Sequence, residues 1–208
     1  MMLAIGLLLG LFLLTSLITL HSLRQQESNR HWATHTSQVL LELDHVQRAL
    51  QTSQIGARGY LLTQRADQRA MFDSGIRDLH ERIANLRQMT TDNPLQQLRI
   101  DSLEKLVAQW QREVMINAID PIAGQKVTDT TAMAQELQRI QSSYLEHRTV
   151  QGEDLHAAIG QMITEENQLL TTRNQQLDGS LVTTKVINIA AILLGILLGI
   201  AVVRLTSR

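Results

Sequence analysis

The residues best equipped for chemistry fall in three places. His31 and His35 are four apart, which puts both imidazoles on one helix face at a spacing that can hold a divalent metal. No Glu follows His31 as a zinc-protease motif requires, and no third ligand is evident in the sequence, so the pair reads as exposed histidines. Glu165 and Glu166 precede Arg173, with Glu166 and Arg173 seven apart on one face. A paired-carboxylate site needs an opposed carboxylate and a pocket, and neither is indicated. A salt link to Arg24, Arg30 or Arg48 is the expectation instead. Arg58 and Tyr60 flank Gly59 at the third place. Here Arg58 serves an anionic ligand, or it bonds carbonyls or an acid while Gly59 allows a close approach and Tyr60 packs inward.

Other chemistry finds little support. His45, His80, His147 and His156 would hold haem only if they faced a shared core, and the apolar periodicity puts His45 beside that core. The chain has no Cys, which excludes disulfides, thiolate metal sites and covalent haem attachment. No nucleophile triad, Walker loop or Rossmann turn is present. The expectation is a chain with no catalytic residue, no metal and no cofactor.

These residues need elements to position them, and the composition points to long helices. Two Pro and 3% aromatics, with abundant Leu, Ala, Gln, Glu and Arg, suit helices better than sheets. A formal net charge of −1 with mixed signs argues against nucleic acid as a partner. All 20 acidic residues lie between Arg24 and Lys185, and only Arg204 and Arg208 of the 19 basic ones lie outside that range.

The excluded ends are apolar. Val186–Val203 carries no charge and, at about 1.5 Å per residue, approaches the roughly 30 Å of a bilayer core. Leu3–Leu23 is equally free of Lys, Arg, Asp and Glu and ends at Arg24. No basic residue precedes that first run and no small-x-small cleavage site follows, so it reads as an uncleaved anchor. Arg204 and Arg208 favour a cytoplasmic C-terminus. The expected layout is a span at 1–23, an extracytoplasmic domain at 24–185, a second span at 186–203 and a cytoplasmic stub at 204–208. Both termini then lie inside. Each span holds one GxxxG, Gly6 with Gly10 and Gly195 with Gly199, where missing side chains let helices approach, within a chain or between chains.

Between the spans, apolar residues recur at alternating spacings of four and three. Helix one shows Trp32, Thr36, Val39, Leu43, Val46, Leu50, Ser53, Ala57 and Tyr60, with breaker signals at Gly56 and Gly59 and a turn at Thr63–Asp67 that holds two candidate caps. Helix two shows Phe72, Ile76, Leu79, Ile83 and Leu86, and ends at Thr91-Asp92-Asn93-Pro94. Asn93 is a candidate N-cap with Pro94 at the first helical position. Helix three shows Ile100, Leu103, Val107, Trp110 and Val114, and stops at Asp120-Pro121. Helix four starts near Thr128 or Asp129 and has no Pro through the second span; Leu137, Ile140, Tyr144, Leu155, Ala158, Met162 and Leu169 mark its apolar side. It is longer than helix one by roughly 30 Å, which predicts an irregularity near Gly152. The fold class is all-α: a membrane-anchored, antiparallel, up-down-up-down four-helix bundle flanked by two transmembrane helices.

Two stretches carry a resemblance. Arg58-Gly59-Tyr60-Leu61-Leu62-Thr63 closes helix one, and Glu165-Glu166-x-x-Leu169-Leu170-x-x-Arg173 lies in helix four. With Thr91-Asp92-Asn93-Pro94 between them, the segment from Trp32 to Arg173 resembles the CHASE group of extracytoplasmic sensor domains, its third type. The resemblance implies a domain between two membrane spans of a bacterial receptor, with histidine kinases, diguanylate cyclases and chemoreceptors as the usual outputs. The chain stops five residues after the second apolar run, with no kinase or cyclase segment. The functional expectation is therefore a non-enzymatic sensory and transmembrane signalling module. Its expected partners are a second copy in a homodimer, membrane lipid, and an unidentified extracytoplasmic ligand or protein. A membrane-tethered scaffold that senses nothing, and a metal- or haem-binding bundle, are the alternatives.

Overall fold

The alternating four-three spacing sets apolar side chains along one stripe of each helix, and burying those stripes against one another builds the fold. The computed structural model describes residues 2–120 and 130–206. Helix α1 spans Met2–Thr63, α2 Ala66–Met89, α3 Pro94–Val114 and α4 Thr130–Thr206, with a π-helical turn at Met115–Ile119 extending α3. No strand occurs among the described residues. The turn beyond Asp120 and the expected start of helix four lie outside them. So do the side chains of Leu137, Ile140, Tyr144, His147 and Arg148.

The helices divide between two units. Gln38–Asn167 forms one; the chain up to Ser37 and from Gln168 onward forms the other. In the first, residue pairs give the topology. Ser53 faces Gly75, Gly56 faces Phe72 and Gly59 faces Gln68, so α1 and α2 run antiparallel. Arg87 meets Asp101 at 2.6 Å while His80 meets Gln111 at 3.2 Å, which opposes α2 to α3. Gln96 of α3 bonds Glu166, and Gln54 of α1 bonds His156, setting α4 beside both α3 and α1. The result is the up-down-up-down bundle.

The core follows the apolar stripes closely. Phe72, Ile76, Leu79, Ile83 and Leu86 of α2 are buried, as are Ile100, Leu103, Val107, Trp110 and Val114 of α3. On α1, Thr36, Val39, Leu43, Val46, Leu50, Ser53 and Ala57 are buried too. Each large apolar side chain contributes about 1.5–3 kcal/mol by leaving water. The ends of the α1 stripe drift, because 3.6 residues per turn does not keep a strict seven-residue register. Ala33 and Leu61 take the inward positions, Tyr60 is half-buried and Trp32 is 37% exposed. On α4, Leu155, Ile159 and Met162 face inward, Ala158 is half-buried and Leu169 is exposed.

Three local expectations need correction. Gly56 does not break α1. Its missing side chain admits the α2 backbone, since a Cβ there would stand 2.3 Å from the Phe72 nitrogen. Gly75 does the same from the other side, at 2.6 Å from the Ser53 nitrogen. Nor is α4 irregular at Gly152, which is helical and buried with Gln54 alongside. A glycine within a helix costs only about 1 kcal/mol, too little to break one held by packing. Finally, α2 is entered through Arg65 in an extended conformation with no side-chain cap, after Gln64 at φ 53° turns the chain.

The second unit pairs the N-terminal part of α1 with the C-terminal part of α4. Thr19 Oγ1 donates to Asn188 Oδ1 at 3.2 Å, Ser22 bonds Thr184, and Arg173 bonds Thr36. The segments are therefore antiparallel. Gly6, Gly10, Gly195 and Gly199 all border open space, so within the chain the two GxxxG motifs make no close crossing. Among the described residues one helix, within Gly152–Arg204, has a stretch long and apolar enough to cross a membrane, with mean hydropathy 2.9.

Candidate functional site

The Arg58–Thr63 motif ends α1, where helical geometry leaves the last four carbonyls without partners within the helix. Thr63 Oγ1 donates to the Gly59 carbonyl at 2.6 Å, and the Gln64 amide donates to the Tyr60 carbonyl at 2.8 Å. Gly59 accommodates the Gln68 side chain, Leu61 is buried, and Tyr60 packs against the core. Leu62 is exposed. Arg58 is exposed and has no ion pair among the described residues, so it bonds neither a carbonyl nor an acid there. Just beyond, Arg65 grips Asp67 through two hydrogen bonds of 3.0 Å. That grip, reinforced by charge attraction and by the Gln68 amide in the first turn of α2, holds the Asp67 carboxyl below its ordinary value.

The second motif organises the opposite end of the bundle. Asn93 accepts from the Gln96 amide at 3.2 Å with Pro94 at the first helical position, so α3 starts as its sequence requires. Thr90 closes α2 by donating to the Leu86 carbonyl at 2.8 Å, and Gln97 donates to both Thr90 Oγ1 and the Arg87 carbonyl at 2.9 Å. Arg87 also bonds Asp101 and Glu104, which raises its pKa further. Against this corner α4 presents its two glutamates. Glu165 pairs with Arg99, and Glu166, only 4% exposed, accepts from Gln96 Nε2 at 2.8 Å. The acids of α4 thus bind α3, not Arg24, Arg30 or Arg48 of α1. An antiparallel bundle's last helix borders both its first and third, and only packing decides which neighbour a given face meets. The other amide atom, Gln96 Oε1, is buried without a partner.

In the paired-helix unit, Arg173 lies over the Trp32 ring at 5.2 Å from its centroid and donates to the Trp32 carbonyl at 3.0 Å and to Thr36. His31 and His35 stand edge-on to the same ring, with centroids 5.7 and 5.8 Å from it. They serve the indole's surroundings. No cluster of three His, Asp or Glu suited to a metal occurs among the described residues. His80 and His156 bond glutamines on separate faces, at 3.2 Å to Gln111 and 3.3 Å to Gln54. Sequence reasoning missed Gln96, Arg99 and Trp32 as the motif's partners. The pattern signal available was the Asn93-Pro94 helix start, which fixes where Gln96 must lie.

The bundle, with its motif residues spent on closing helices and joining α3 to α4, places the chain in the structural class of all-α helical bundles. The family follows from residues 29–176, which match the CHASE3 domain. The chain belongs to the CHASE3 domain family, an extracytoplasmic sensor domain of membrane receptors. Its fold is similar to the crystal structure of the Rhodopseudomonas palustris histidine kinase HK9 sensor domain, with a TM-score of 0.53 at 21% identity, covering 65% of this chain and 98% of that one. A search of curated protein sequences finds no match.

Proposed function

We propose that this chain is the sensory and transmembrane signalling module of a bacterial two-component-type receptor. It is anchored by Leu3–Leu23 and Val186–Val203, with the bundle outside the inner membrane and both termini in the cytoplasm. In this reading it works as a homodimer, and a ligand or protein bound by the bundle moves α4 against α1. Exposed Arg58 is the basic group best placed to take part in recognising an anionic ligand.

One observation carries the reading: α4 runs from Thr130 to Thr206 as a single helix, so the residues that bear Glu165 and Glu166 and the apolar stretch share one backbone. The exposure of Leu13, Leu17, Ile189, Ile192 and Leu197, each more than half open, suits lipid-facing surfaces. A hydrogen-bonded helix transmits rotation and translation, and signalling needs such an element with two arrangements. Insertions of one to four residues between Asn174 and Gly179, in a fusion carrying a kinase reporter after Arg208, test this. Each added residue turns the helix by about 100°, so output should rise and fall with a period near 3.6 residues. A Gly-rich insertion at the same place should flatten the response. Output indifferent to insertion length would refute the mechanical link.

A further inference from the structure

Residues 18–29 of α1 and 176–187 of α4 enclose an open groove of about 540 Å³ within the paired-helix unit. That volume falls in the range of small-molecule sites, roughly 300–1,000 Å³. The walls change character along the groove. Ile18 and Ile187 line one end, while Gln25, Asn29 and Gln176 line the other. The side chains of these three amides make no hydrogen bond among the described residues, so their donors and acceptors are available. No Lys, Arg, Asp or Glu lines the groove, although Arg24 and Lys185 lie within the same two stretches of sequence, and His21 is its one titratable lining side chain.

A lining without a permanently charged side chain, with free amides at one end and aliphatic side chains at the other, selects a particular chemistry. An anionic head would give up hydration with no counter-charge from a lysine or arginine to replace it. An uncharged head rich in hydroxyls exchanges its water hydrogen bonds for amide ones at little net cost. An apolar tail leaves at the isoleucine end. The groove also straddles the point where both helices pass from apolar to polar sequence, and that is where an amphiphile's own head and tail meet. We propose that this groove binds a neutral glycosylated lipid, its sugar among Gln25, Asn29 and Gln176 and its acyl chains passing Ile18 and Ile187. The bilayer as the lipid's source rests on the membrane-anchored reading above.

Gly179 lines the groove and a Cβ there meets nothing within 4 Å, so Gly179→Phe adds a ring at the groove wall with no clash at its first side-chain carbon. Gly195, equally open but outside the groove, provides the control Gly195→Phe. The full chain is placed in nanodiscs of phosphatidylcholine doped with monoglucosyl diacylglycerol, or with phosphatidylglycerol, and lipid retained after release is counted by native mass spectrometry. Wild type and Gly195→Phe should retain the glycolipid, and Gly179→Phe should retain about tenfold less. Phosphatidylglycerol should be retained by none. Equal retention of both lipids, retention unaffected by Gly179→Phe, or a lipid-free dimer would overturn the proposal. A chain that enters the discs without retaining glycolipid refutes the groove alone. A chain that does not enter them refutes membrane anchoring and the lipid source together.

Discussion

Replacing Gly56 or Gly75 with alanine tests a backbone-to-backbone contact between α1 and α2. At Gly56 the new methyl would stand 2.3 Å from the Phe72 nitrogen and 2.8 Å from its Cα; at Gly75, 2.6 Å from the Ser53 nitrogen and 2.9 Å from its Cα. These obstacles are backbone atoms, which no rotamer change can move, so α1 and α2 must part by at least about 0.7 Å at Gly56 to reach even 3.0 Å. Overpacking of this kind costs about 1–3 kcal/mol, and the better helix propensity of alanine returns roughly 0.5–1. Each variant should therefore lose on the order of 1–2 kcal/mol. For a chain of this size that lowers Tm by roughly 2–8 °C, read by circular dichroism of the full chain in detergent. Both substitutions push the same two helices apart, so the double variant should lose less than the two single losses combined. Gly160→Ala is the control: its Cβ meets nothing within 4 Å, and it should gain up to about 1 kcal/mol. If Gly56→Ala melts as high as Gly160→Ala, the crossing is not where the structure puts it.

Glu166→Ala removes the acceptor of the buried Gln96 amide and should cost about 1–3 kcal/mol, whereas Glu166→Gln, which keeps an acceptor, should cost less; equal melting of both variants would refute the contact. Asp67 supplies a pH dependence. Its carboxyl binds a proton less readily folded than unfolded, so the stability it adds is fully present above the ordinary value of 3.8 and is lost as pH falls through the lower folded value. Asp67→Asn should therefore flatten the stability profile on the acid side only, and an unchanged acid limb in pH-dependent melts would refute the assignment.

Much of the bundle was legible because burial has a period. Phe72 to Leu86 on α2 and Ile100 to Val114 on α3 repeat every three or four residues, the spacing of one helix face, and all of them are buried. The Asn93-Pro94 start was legible for a local reason, since a cap and its proline need only the residues beside them. The candidate site was legible as a motif but not in its contacts. Glu165 and Glu166 stood out, yet their partners Arg99 and Gln96 lie 66 and 70 residues away, and no local pattern links them. Gly56 misled for the same reason, because glycine breaks helices in isolation and joins them when another backbone comes close.

Composition and spacing thus decided by themselves that this chain is helical, where the stripes of its first three helices lie, where α1 gives way to α2 and α2 to α3, and which ends are apolar. Those properties come from interactions a few residues apart. Tertiary structure alone decided that α4 gives its glutamates to α3 and its Arg173 to Trp32, that Gly56 and Gly75 are a crossing, and that a groove opens beside Gly179. Each of those depends on the rotation of one helix about its axis against another, a quantity that packing sets and that spacing along a single strand of sequence does not contain.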